Sequence, residues 1–205
     1  MTRRNRRIIA IGLTALCLAM AGCAENSSVQ NEDSAAETQF TSPAPASSEG
    51  SLKLGDGTFI DAGEVDRKDA DDVASSVARI AHSWDTEFDS TETDGLLRAE
   101  PLMSNDYADT IQAPVRNASQ AEWLSASEHQ AYSVPSVGPV ASDAHGSGYG
   151  PNRKAMMYTV TWNWVGRDGE TVGSDQRRSV EVFLERTSER SDWNLVGFVS
   201  TGTNV

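Results

Sequence analysis

The side chains with chemistry to offer are few and scattered. The chain holds two cysteines, Cys17 and Cys23, and three histidines, His82, His129 and His145. No two histidines stand at a metal-binding spacing, and no nucleophile elbow, phosphate loop or zinc-helix motif occurs. Glu181 and Glu185 alternate out of step with Val180, Val182 and Leu184, so a strand there turns both acids to solvent. No catalytic set, metal site or cofactor site is expected, and the chain reads as a non-enzyme. The five tryptophans, Trp84, Trp123, Trp162, Trp164 and Trp193, are a heavy aromatic load. Large aromatics either fill a core or line an apolar pocket. Trp84, Tyr158, Trp162 and Trp164 are the candidate walls of such a pocket.

The N-terminus sets the compartment. Arg3, Arg4, Arg6 and Arg7 precede an apolar run from Ile8 that closes on Ala21, Gly22 and Cys23. A basic start, an apolar middle and a small-residue end make a secretory signal. The run falls short of the ~20 residues that favour a stable membrane-spanning helix. Thr2-Arg3-Arg4 begins like a twin-arginine signal, but Arg6 and Arg7 stand where that motif wants apolar residues, which favours general secretion. Met20-Ala21-Gly22-Cys23 resembles a bacterial lipobox. The resemblance implies that residues 1–22 are a lipoprotein signal peptide. It also implies that Cys23 is the lipidation site and carries a thioether diacylglyceryl group, with acyl chains such as palmitate. Two such chains, at ~0.8 kcal/mol per buried methylene, hold a protein on the membrane durably. The expected location is the extracytoplasmic face of the cell membrane.

All 30 acidic residues and 13 of the 17 basic ones follow Cys23, giving the mature chain a formal charge of −17. That argues against nucleic acid and anionic lipid as partners, since both reward clustered Lys and Arg. With Cys17 lost and Cys23 acylated, no disulfide is expected either.

From Ala24 to about Ser51 the chain is rich in Ser, Ala, Glu, Asn and Pro and has no basic residue. Residues 23–64 are expected to form a lipidated, disordered acidic tether, because so polar a stretch cannot bury enough surface to offset ordering entropy. Leu52 to Ile60, with Gly55-Asp56-Gly57 at its centre, reads either as a minor hairpin or as an arm lying on the domain.

Residues 65–205 are expected to fold. Val73, Val77, Ile80, Trp84 and Phe88 recur at spacings that place all five on one helix face, with Asp69, Asp71 and Asp72 at its N-terminus. Thr91 to Asp94 reads as a cap for a helix limited by Pro101. Short helices come next at Ser104 to Ile111 and after Ser119, which stands at capping-box spacing from Glu122.

The period then changes. Ala131 to Val140 reads as an edge strand marked by Pro135 and Pro139. Tyr158, Val160, Trp162 and Trp164 alternate with polar residues in the cleanest strand of the chain. Gly166 to Gly169 makes a turn, a strand runs from about Arg177 to Arg186, and Trp193, Leu195 and Val199 mark a last one. Helices first and a curved antiparallel sheet of about four strands second make an α+β fold.

Several phrases carry a family likeness. They are Trp-Asp-Thr at 84–86, Thr-Asp-Gly-Leu-Leu-Arg-Ala at 93–99, Pro-Leu-Met at 101–103, Trp162 with Asp168-Gly169, and Arg186 with Trp193. Over roughly Asp66 to Val205 the chain resembles secreted actinobacterial proteins of the nuclear-transport-factor-2-like, or cystatin-like, fold. It is also loosely similar to the extracytoplasmic domains of mammalian-cell-entry-associated proteins and type IV secretion assembly factors. The resemblance implies a cone-shaped, non-catalytic interaction module in a cell-envelope or secretion assembly. The alternatives are a binding protein for a small apolar ligand or lipid, and an isomerase- or dehydratase-like enzyme with an acid or histidine buried in the cone.

Overall fold

The computed structural model describes residues 53–115, 120–140 and 150–202. Four helices, α1 (Ala70–Ile80), α2 (Glu92–Leu97), α3 (Asn105–Ala108) and α4 (Gln120–Glu128), lead into four strands. These are β1 (Tyr132–Pro139), β2 (Arg153–Val165), β3 (Thr171–Glu185) and β4 (Asn194–Gly202). They form one antiparallel meander in the order β1-β2-β3-β4. The fold is α+β, as expected.

α1 starts where its acids place it, because the Asp69 carboxylate accepts from the Asp71 amide at 2.8 Å and stabilises the first turn. Val73, Val77 and Ile80 are at most 1% exposed, and the helix contacts β1, β2 and β3. The sheet face beneath it carries Val160, Val180, Val182 and Leu184, also at most 1% exposed. β2 alternates buried and half-buried residues along most of its length. Phe183 and Met157, whose parity turns them to the other face, are only half-buried.

The helix stops at Ile80, so Trp84 and Phe88 do not continue its stripe. No proline or glycine ends it. A residue from β1 does, since the Ser133 hydroxyl accepts from the Trp84 amide at 2.6 Å and the Ser133 amide donates to the Trp84 carbonyl at 2.8 Å. Asp85 then bridges to Tyr132. Trp84 enters the core from this bridge, and Phe88 is left 49% exposed.

β3 begins at Thr171, ahead of the expected Arg177. Its first part is hidden in the sequence by polar Gly173 to Gln176, where the register with β2 slips between Trp162 and Trp164. In β4 the register slips too. Phe183 faces Gly197 while Leu184 faces Leu195, so Val196 is an extra residue. A bulge reverses the parity of the residues beyond it, and Val199, expected inside, is 47% exposed.

The domain also begins earlier than residue 65. Lys53 to Glu64 packs on the domain as an arm with 3-10 turns at Leu54–Gly57 and Ala62–Glu64. Of the two readings of Leu52 to Ile60, a hairpin or an arm lying on the domain, the arm is the one found, and buried partners hold it. The Gly55 amide donates to Asp85 at 2.6 Å, Ala62 is buried, and Phe59 packs edge-on to Tyr132. The Cys23 lipidation site and the rest of the tether lie outside the described residues. Among the described residues no helix is long and apolar enough to cross a membrane.

Candidate functional site

Three of the four expected pocket residues meet. The Trp84 ring lies 5.2 Å from that of Trp162, edge-on, and 6.0 Å from that of Trp164, stacked. Trp123 meets Trp164 edge-on at 5.8 Å. All four indoles are buried, and at these separations they fill one another's space. Tyr158 is also buried but lies elsewhere on the sheet, facing the acidic start of α1. Burial, with Asp71 and Asp69 nearby, pushes its phenol up to about 12.

Every indole in the cluster whose nitrogen partner is resolved is satisfied. Glu122 Oε1 accepts from Trp164 Nε1 at 2.6 Å and from Trp162 Nε1 at 3.1 Å. The expected capping role of Glu122 toward Ser119 is a different matter, since Ser119 lies outside the described residues. Trp84 Nε1 donates to the Glu92 carbonyl at 2.9 Å. That bond needs Gly95, because a Cβ there would sit 2.8 Å from Trp84 Nε1 and 2.9 Å from the Ala81 carbonyl.

His82, read as lying off the apolar stripe, is 1% exposed and sits among aromatics. Its ring centroid is 5.2 Å from Trp84, 5.7 Å from Trp162 and 6.1 Å from Phe198. Nδ1 is 2.8 Å from the Ala78 carbonyl, which can only accept, so Nδ1 carries the hydrogen. Nε2 then faces the Ser200 hydroxyl at 3.2 Å as an acceptor. Nearby, the Arg178 guanidinium grips Glu92 through two bonds of 2.8 and 3.0 Å. It lies 5.3 Å from the Trp84 centroid and 5.2 Å from that of Trp162, within cation–π range. These groups border a cleft of about 440 Å³ between α2 and β4.

Burial, reinforced by the Arg178 charge, lowers the His82 pKa to about 4, the Ala78 bond opposing it. This sets the sign of the pH effect. The unfolded chain takes up a proton near 6.5, the folded one only near 4, so the folded state binds fewer protons between those values. Stability is therefore lost as pH falls from about 6.5 to about 4, and His82 adds no further loss below that. The shift corresponds to about 3 kcal/mol. Chemical denaturation of wild type and His82→Gln at pH 7 and pH 4.5 should show a smaller acid loss in the variant. Equal losses would remove His82 from the account.

His129 and His145 do not join this site. His129 pairs with Asp168 at the surface at 2.6 Å, and His145 lies outside the described residues. Among those residues, no group of three or more His, Cys, Asp or Glu is placed to hold a metal. His82, Glu92, Glu122, Arg178 and Ser200 went unread in the sequence as a site. The one local signal was a histidine just past the end of an apolar helix, flanked by the strongest core residues. Compared with protein families, with curated proteins and with solved structures, the chain matches none.

Proposed function

We propose that the chain is a membrane-anchored lipoprotein whose extracytoplasmic α+β domain is a non-catalytic protein-interaction module of a cell-envelope or secretion assembly. The observation that supports this reading is the packed tryptophan cluster. Trp84, Trp162 and Trp164 pack against one another beneath the helices, which favours work done at the surface. Among the described residues no element covers the second sheet face, where Val134 and Val199 are each 47% exposed, and it offers area for a partner.

His82 is the feature that leans toward catalysis. Both of its nitrogens are engaged, and a base with a pKa of about 4 is poorly matched to proton transfer at neutral pH. Against the apolar-ligand reading stands the close packing of the indoles, 5.2 to 6.0 Å between ring centroids, although Trp84 also borders the cleft of about 440 Å³.

Crosslinking in intact cells, followed by purification of the lipidated protein from the envelope, should recover a defined partner. Recovery of none would overturn the reading. Anchoring has its own test. Cys23→Ala should release the protein to the soluble fraction or leave it unprocessed, and unchanged membrane retention would refute lipidation.

A further inference from the structure

β4 is an edge of the sheet, and its two halves differ. The first half is covered, since the Ser104 amide donates to the Leu195 carbonyl at 2.9 Å and Met103 bridges to Leu195 in parallel. Beyond Phe198, Val199 to Gly202 has no strand on its outer side among the described residues. Nothing blunts it, because Leu195 to Gly202 contains no proline and no charge. The opposite edge, β1, carries Pro135 and Pro139. An unblunted edge is a template for another strand.

The open half of β4 forms one wall of the cleft of about 440 Å³, through Phe198, Ser200 and Gly202, and α2 forms the other through Glu92, Thr93 and Leu96. A strand added here would turn alternate side chains into the cleft. The polar groups on its floor are already closed on each other, Arg178 on Glu92 and Ser200 on His82. An incoming segment would therefore be held by main-chain bonds and by contact with Leu96 and Phe198. Charge selects its sign. The chain after Cys23 carries 30 acidic and 13 basic residues; among those acids Asp94 lies in the first turn of α2 beside the groove, while Glu92 is already matched by Arg178. Such a field draws and orients basic partners.

We propose that the groove between β4 and α2 takes an extended, basic segment of a partner protein as a fifth strand, the main-chain mode of peptide capture. This rests on the interaction-module reading and names the kind of partner it serves.

The test is selection from a phage-displayed library of random dodecapeptides on the full mature chain in neutral detergent, with fluorescence polarisation of the enriched peptides afterwards. Enrichment of sequences that alternate basic or apolar residues is expected. Gly202→Trp should weaken binding of an enriched peptide at least tenfold. A Cβ at 202 meets nothing within 4 Å, so the side chain enters the groove without disturbing the fold. Thr201→Trp, one residue away and facing outward, should leave the affinity unchanged. No enrichment, enrichment of acidic sequences, or binding indifferent to Gly202→Trp would overturn the proposal. Photocrosslinkers placed at 202 and at 134 in cells separate it from the broader reading. Capture at 134 alone removes the groove and keeps the module, whereas capture at neither removes both.

Discussion

Arg167→Ala unfolds with about 3–5 kcal/mol less stability than the wild type, the usual consequence of leaving a buried charge without its partner. The charge is Asp85, whose side chain is 0% exposed while that of Arg167 is 8%. The guanidinium gives it two bonds, of 2.6 and 2.9 Å, and the Gly55 and Glu87 amides supply the others. Arg167 also bonds the Gln130 and Lys53 carbonyls and the Asp56 carboxylate. It thereby joins the β2–β3 turn, the end of α4 and the N-terminal arm through one fork. Its loss should both destabilise the domain and release the arm, so limited proteolysis should begin to cut within residues 53–64. Arg167→Lys keeps the charge and loses the fork, and should fall between the two. Denaturant titration monitored by tryptophan fluorescence gives the number. A loss below about 1 kcal/mol would mean that Asp85 finds water or other donors, against the burial argument.

Trp84→Ala is expected to cost a similar amount, about 3–5 kcal/mol, from lost burial and the cavity left behind. Trp84 touches His82, Trp162 and Trp164, lies beneath Arg178 and bonds the start of α2, so the loss reaches both the core and the cleft. Trp84→Phe should cost less and keep more of the near-ultraviolet circular dichroism of the cluster. The same position tests the filled interior. Apolar cavities of this kind stay dry and take up small hydrophobes, so benzene should raise the melting temperature of Trp84→Ala and leave the wild type unmoved. A wild type stabilised by benzene would show a chamber in the native core and favour the apolar-ligand reading.

Much of the architecture could be read along the chain because it is written in neighbouring residues. Asp69 at the start of α1, the Thr91–Asp94 capping box, Ser104 at the head of α3, the alternation of β2 and the Gly166–Gly169 turn each depend on residues a few positions apart. So does the change of period at Ala131, which separates helices from sheet. These local patterns were enough to determine an α+β domain and the buried faces of α1, β2 and the second half of β3.

The remainder was decided between residues far apart. Ser133, 49 positions from Trp84, ends α1 and turns that indole inward. Arg167, 82 positions from Asp85, draws the arm onto the domain. Arg178 reaches Glu92 across 86 positions and Ser200 reaches His82 across 118, and together they make the polar floor of the cleft. The bulge at Val196 reversed Val199 for a similar reason, since register is set by the partner strand. Sequence periodicity records how an element faces its own core. A hydrogen bond between distant side chains leaves no period behind, so the cleft existed only once the chain had closed on itself.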